Sequence, residues 1–214
     1  MGKCSCCGDE FSKTAIAKHI QSCEDYAKSS GTNKAKVFHL AVEGYHLPEY
    51  WIYLEARTDA KLKYLDDFLR NIWLECCGHM SEFEIGKTKY GADFSGELGQ
   101  KSLNIQLAKI LCVGMEFSHK YDFGSTTELI LQVVSEQQGN ASGKPIKLLA
   151  RNNPPEIKCE SCGQTATQLC TECMWSNKGG VFCDKCAETH KCDSEMFLPI
   201  VNSPRVGVCG YTGY

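Results

Sequence analysis

The sequence predicts an α+β fold, a mainly antiparallel sheet with helices on one face, flanked by two small cysteine-rich modules. Three observations predict it. Between residues 34 and 153, short β-branched and aromatic runs recur between turn signals, and a strong amphipathic helical stripe lies among them. Cysteines at metal-ligand spacing crowd both ends of the chain. With 214 residues and an apolar share of 43%, the central region can bury an ordinary core, whereas the short ends cannot.

Residues 1–30 form the first unit. In "CSCCGDEFSKTAIAKHIQSC", Ser12 is placed to cap a helix from Lys13, which sets His19 and Cys23 one turn apart on one face. Cys4 and Cys7 occupy a tight turn, Phe11 and Ile16 supply an apolar plug, and Cys6 is a spare thiol beside its neighbour Cys7. The pattern C-x2-C-x11-H-x3-C over Cys4, Cys7, His19 and Cys23 resembles the CCHC version of the classical zinc finger. The polar stretch "EDYAKSSGTNKAK" reads as a linker, which makes this finger a mobile appendage.

The second unit spans 34–153. "KVFHLAVEG" and "YWIYLEART" predict a hairpin. "TDAKLKYLDDFLRNIWLEC" places Leu62, Leu65, Leu69 and Ile72 at helical spacing, widened by Phe68 and Trp73, with Thr58 or Asp59 as N-cap. "SEFEIGKTKYG" alternates as a strand does, and "SLNIQLAKIL" predicts a short helix started by Ser102. "EFSHKYDFG", "TTELILQVVSE" and "PIKLLARN" add further strands. The motif "YDFG" at Tyr121–Gly124, together with "GHMSEFEIG" at Gly78–Gly86, resembles the plasmid pRiA4b ORF-3-like domain over roughly residues 34–150. That resemblance implies a link with plasmids and mobile elements and no particular activity. The chain departs from the family after the motif, at Ser125, Thr127 and Leu129.

The third unit, 155–214, follows two prolines. "CESCGQTATQLCTECMWSNKGGVFCDKCAETHKC" contains seven of the fifteen cysteines in three CxxC pairs, closed by His190 and Cys192. In a reducing compartment such pairs read as zinc ligands rather than disulfides. Sequential pairing would join Cys159 and Cys162 to Cys170 and Cys173. Interleaved pairing, which the short loop "GQTATQL" favours, joins Cys159 and Cys162 to Cys183 and Cys186, and leaves Cys170 and Cys173 with His190 and Cys192. The interleaved scheme resembles the cross-brace of B-box and MYND modules, which implies recognition of short peptides. Cys209 in "RVGVCGY" is an alternative to Cys192.

Three zinc ions are therefore expected, each closed by four protein ligands and so structural rather than catalytic. A Cys3His site carries about −1 and a Cys4 site about −2 once its thiolates are counted with the ion, so the loaded chain is more acidic than its formal −3. That disfavours a polyanion partner, and Ser12, Ala15 and Lys18 are poor base readers for a lone finger. The expected function is non-catalytic recognition of another protein. Nucleic-acid binding is the first alternative, supported weakly by six lysines against four acids in residues 1–36. An enzyme using Cys76 or Cys77 with His79 is the second, and it needs thiol and imidazole within reach of each other. His39, His46 and His119 read as surface or satisfied core histidines, and Cys112, Trp51, Trp73 and Tyr121 as packing. With no apolar leader and no long apolar run, the expectation is a cytoplasmic protein with no membrane contact.

Overall fold

The computed structural model describes residues 1–29, 33–91, 99–176 and 179–213. Its strands and helices run, in chain order, β1 (Gly2–Cys4), β2 (Glu10–Phe11), α1 (Lys13–Ser22), α2 (Glu24–Ser29), β3 (Lys34–Gly44), β4 (Trp51–Arg57) and α3 (Leu62–Leu69). A π-turn, Arg70–Leu74, extends α3. Then come β5 (Ser81–Ile85), β6 (Thr88–Gly91), β7 (Lys101–Ser102), β8 (Glu116–Tyr121), β9 (Thr127–Asn140) and β10 (Ile146–Asn152). The small C-terminal module adds β11 (Gln168–Cys170), α4 (Thr171–Trp175), β12 (Val181–Phe182), α5 (Asp184–Glu188) and β13 (Phe197–Pro199).

The α+β class holds. Among the described residues, ten strands form one sheet in the order β2-β1-β10-β4-β3-β9-β8-β5-β6-β7, antiparallel except for the β6–β7 pair. Strand β4 lies near its middle, and alternation sends its side chains to two different cores. Ile52 and Leu54 join Phe38, Leu40 and the Leu62, Leu65 and Leu69 stripe of α3 on one face. Trp51 and Tyr53 join Ile16 and Ile20 of α1 on the other. Helices therefore cover both faces rather than the single face expected.

The finger is accordingly no appendage. Strand β1 pairs with β10, Gly2 opposite Asn152 and Cys4 opposite Ala150. A Cβ at Gly2 would sit 2.5 Å from the Arg151 carbonyl oxygen and from the Trp51 ring, so only glycine lets β1 approach this closely. The stretch read as a linker is helix α2 over Glu24–Ser29 and the start of β3 from Lys34, with residues 30–32 outside the described set. Its polarity misled because its strand end is held by backbone pairing with β9, and its helix reaches the buried core through one aromatic side chain among the described residues. Tyr26 reaches into the sheet, where its hydroxyl donates to Glu55 Oε2 at 2.6 Å and lies 3.0 Å from His39 Nε2.

Burial pushes the His39 imidazole down to about 4, against the pull of Glu55. The folded chain thus holds His39 neutral where the unfolded chain, with its imidazole near 6.5, already takes up a proton. Stability from this site is present above about pH 6.5 and falls by about 3 kcal/mol in total as pH drops to about 4. Urea unfolding of wild type and His39→Gln at matched zinc should show that pH-dependent difference. Parallel pH profiles for the two proteins would mean that His39 is not held neutral.

Two local expectations change for the same reason. Neither Thr58 nor Asp59 caps α3, because Asp59 is held by Arg57 at 2.9 and 2.7 Å. The helix begins after Lys61, and its Leu62 and Lys63 N–H groups donate to the carbonyls of Ile105 and Leu103. That duty keeps residues 103–106 extended, so the expected helix from Ser102 shrinks to one 3-10 turn at Leu107–Lys109. The Ser102 hydroxyl accepts from Asn104 N in a local turn instead. Leu103, Leu107 and Leu111 are buried, which is why their spacing of four imitates a helix.

Trp51, Trp73 and Tyr121 are buried, as are His39 and His119, the latter 2.8 Å from Asp66 Oδ1. His46 lies at the surface beside Tyr45. Cys112, expected in the core, is exposed in the turn before Gly114. Among the described residues, no helix is long and apolar enough to cross a membrane.

Candidate metal centres

Among the described residues, four groups of cysteine and histidine bring their ligand atoms within 4.8 Å of one another, and each can hold a metal ion. A tetrahedral ion with metal–sulfur bonds of about 2.3 Å sets its sulfurs about 3.8 Å apart, which is the scale on which to judge them.

The first group is Cys4, Cys7, His19 and Cys23. Gly8, at φ +82°, folds the chain back so that its N–H donates to the Cys4 carbonyl at 3.0 Å. Ser12 caps α1 as expected, accepting from Ala15 N at 3.2 Å. The helix carries His19 to 3.4 Å from Cys7 Sγ, where Phe11 stacks on its ring at 3.7 Å and fixes its orientation. Cys6 stays outside the group, and burial together with the charges of Cys4 and Cys23 pushes its thiol up to about 12.

The second group joins Cys159 and Cys162 to Cys183 and Cys186, and the third joins Cys170 and Cys173 to His190 and Cys192. This is the interleaved arrangement, and β-pairing produces it. Strand β11 sits between β12 and β13, so Cys170 at its end faces the segment that carries His190 and Cys192. The Cys159 turn, folded at Gly163 with φ +73°, meets the Cys183 turn that opens α5. Cys162 Sγ lies 3.6 Å from Cys183 Sγ. Cys173 Sγ lies 3.7 Å from Cys192 Sγ and 3.3 Å from His190 Nε2. Burial works against ionisation of Cys159, yet backbone N–H donors from Cys183, Cys162 and Ser161 bring its thiol down to about 6. Such N–H···S bonds favour a thiolate ligand. Cys209 is not the fourth ligand here.

Cys209 belongs to a fourth group, with Cys76, Cys77 and His79. After β13 the chain leaves the small module and packs on the central domain. Ser203 Oγ donates to the Trp73 carbonyl at 2.7 Å, Arg205 is fully buried, and Tyr211 is buried beyond it. Cys209 Sγ thereby reaches 3.7 Å from Cys77 Sγ and 3.3 Å from His79 Nε2, while Cys76 Sγ lies 3.5 Å from Cys77 Sγ. Sequence reasoning assigned all four residues elsewhere. The only signal was the remainder: once the other three sets are filled, Cys6, Cys76, Cys77, Cys112 and Cys209 are left with His39, His46, His79 and His119, and only the short spacing of Cys76, Cys77 and His79 stands out.

The thiol–imidazole reach that catalysis would need is met, with Cys77 Sγ 2.9 Å from His79 Nε2. The rest of the geometry differs from a catalytic triad. Asp122 Oδ2 faces the same Nε2, at 3.5 Å, instead of orienting the ring from its other nitrogen. The Cys77 thiol, the one nearest the imidazole, is pushed up to about 12 chiefly by its hydrogen bond with Cys76, the wrong direction for a nucleophile, whereas, against the cost of burial, hydrogen bonds from Arg205 and Cys77 bring Cys76 down.

No protein-family model matches the chain. No curated protein matches it either. Among solved structures, MM3350 from Methanosarcina mazei Go1, a protein of unknown function, is 18% identical with a TM-score of 0.48. The alignment covers 62% of this chain and 76% of that one. A likeness at that level fixes neither fold nor function.

Proposed function

We propose that the chain is a zinc-stapled, non-catalytic protein-interaction module that docks a partner on its C-terminal domain. The observation that carries this reading is the completeness of the ligand sets. The finger set and both sets of the small module each offer four protein ligands, so a tetrahedral ion there has no open position for water or substrate. Three thiolates and an imidazole, or four thiolates, suit zinc. Zinc in these sites builds surface rather than performing chemistry.

The partner is a protein segment with apolar and basic side chains. Met174 and Trp175 end α4, and Met196 lies beside its start, where Thr171 Oγ1 donates to the Met196 carbonyl at 2.9 Å. All three are exposed, Trp175 at 72%. An indole that open on a small rigid module is the kind of anchor interfaces use. Residues 155–199 contain seven acids and four lysines, a net charge of −3. Their two zinc–thiolate centres add about −3 more. That charge repels nucleic-acid phosphate and attracts basic peptide. Kinship of the central domain with plasmid ORF-3-like proteins is supported by the Tyr121–Gly124 and Gly78–Gly86 motifs alone and adds no partner.

A native mass spectrum of untagged protein, purified from its own host without chelators, tests the reading. Retained zinc with a stoichiometric protein partner is the expected result, and Trp175→Asp should lose the partner while keeping its zinc. A partner that survives Trp175→Asp would remove the docking surface. Co-purifying nucleic acid released by salt would replace the protein partner.

A further inference from the structure

We propose that Cys76, Cys77, His79 and Cys209 form a fourth metal site, taking a thiophilic divalent ion of the zinc class, which latches residues 203–211 to the central domain. It goes beyond the interaction reading and does not depend on it. No contiguous motif encodes it, since its two halves lie 132 residues apart between Cys77 and Cys209.

Both halves are shaped before any ion arrives. On the central side, the Tyr121 hydroxyl accepts from the N–H groups of Cys76 at 3.4 Å and His79 at 3.3 Å and donates to Glu75 Oε1 at 3.0 Å. Gly78, at φ +79°, donates its N–H to the same Glu75 oxygen at 2.6 Å, and Arg70 Nη1 donates to the His79 carbonyl at 2.9 Å. This moulded turn lets adjacent cysteines converge, so adjacency bars a shared ion less strictly than the Cys6–Cys7 pair suggests. On the C-terminal side, Cys209 is held at φ +53° between Gly207 at +77° and Gly210 at +66°. A cysteine in the left-handed region is uncommon and persists where its surroundings over-determine it. A metal–sulfur bond supplies that constraint.

The surroundings match a charged thiolate centre. Arg205, with no exposed surface, donates through Nη2 to Cys76 Sγ at 3.4 Å and to Asp122 Oδ2 at 2.7 Å. Arg205 and Asp122 already neutralise each other, and an ion with three thiolates adds about −1, placed against the guanidinium. Three sulfurs and one imidazole nitrogen select a soft or borderline divalent ion over magnesium or calcium.

Exposure sets this site apart. Cys77 and Cys209 are both exposed and none of its cysteines is buried, whereas each of the other sets has at least one buried cysteine and at most one exposed, Cys162. The fourth ion should therefore be the first to leave. Exposed Cys112, which belongs to none of the four groups, provides an internal control.

Zinc-loaded wild-type protein, kept under a phosphine reductant throughout so that disulfides cannot protect, is alkylated with N-ethylmaleimide and mapped by peptide mass. Cys77 and Cys209 should react at least about tenfold more slowly than Cys112, because a metal-bound thiolate is not free to attack. Brief chelation should release them before Cys159 or Cys170. Native mass spectra should then show four zinc ions in wild type and three in Cys77→Ser/Cys209→Ser. Alkylation of Cys77 and Cys209 at the Cys112 rate in the zinc-loaded protein would overturn the proposal, and so would equal zinc counts in wild type and variant. The alkylation arm uses wild type alone, so misfolding of the variant cannot obscure the result. A missing partner in the docking experiment would leave both readouts unchanged.

Discussion

Stripping zinc with a strong chelator is expected to unfold residues 155–199 completely while the ten-stranded sheet keeps its central protection. The buried core of the small module consists of Cys159, Ala166, Cys170, Phe182 and Cys183, and three of those five are ligands. Without the ion these are thiols facing one another, with Ala166, Phe182, buried Leu169 and a half-buried rim of Ile157, Val181, Phe197 and Ile200 to hold them. A structural zinc contributes about 10–16 kcal/mol to folding such a segment, as much as the whole stability of an ordinary domain. The central sheet has a separate core, from Phe38 and Leu40 to Leu131 and Val133, that includes no cysteine among its fully buried members. The finger should respond between these extremes. It loses its ion, but Ile16 and Ile20 still pack on Trp51 and Tyr53. Hydrogen exchange read by mass spectrometry, before and after chelation, checks all three. Full exchange over 155–199 with residues 37–42 and 129–133 still protected is the expected pattern. Cys183→Ser should reproduce it in the C-terminal module alone. Loss of protection in strands β3 and β9 at the same chelator concentration would show that the modules unfold as one unit, against this division of the core.

How much of this was legible in the sequence depends on how local each interaction is. Ser12 capping, the His19–Cys23 spacing and the three CxxC turns are set within a few residues, and pattern reading located them. The interleaved grouping was readable as a preference because a seven-residue loop suits a strand excursion. The finger's attachment was not readable, since it rests on Gly2 passing under Trp51 and on Tyr26 reaching Glu55 and His39. A glycine near a chain start and a tyrosine in a polar stretch look alike whether or not a sheet lies beneath them. The helix expected after Ser102 failed because its carbonyls serve the N-terminus of α3, some forty residues earlier. The fourth cysteine group failed for the same physical reason. Its halves meet only because residues 203–211 dock on the Trp73 turn, and no spacing rule spans that distance.

That docking turns on one buried cation, and replacing it should be among the most damaging single changes outside the four candidate metal groups. Arg205→Met is expected to cost about 3–5 kcal/mol, the usual consequence of removing one partner from a buried ion pair. Asp122 would lose the guanidinium that, against the cost of burial, holds its carboxyl below the usual range. Arg205 Nη1 also donates to the Ser125 carbonyl at 3.2 Å and to Thr127 Oγ1 at 3.0 Å, and the guanidinium lies 4.8 Å over the Tyr121 ring. The turn after β8, the start of β9 and the Tyr121 hub therefore all lean on this side chain. Asp122→Asn should also destabilise, because it leaves buried Arg205 without the carboxylate at 2.7 Å and with only the Cys76 sulfur centre, at 3.4 Å, as a negative neighbour. Asparagine keeps the side-chain oxygen that accepts from Gly124 and Ser125, and it tolerates the φ of +64° at this position. The loss in that variant is thus electrostatic and not a broken turn. The double variant Arg205→Met/Asp122→Asn should cost clearly less than the two single losses added, since the contact between the two residues is lost once and not twice. Urea unfolding of the four proteins at constant zinc measures this directly. Additive losses would mean that the two residues act independently, and Arg205 would then be a packing element rather than the electrostatic pin of the C-terminal segment.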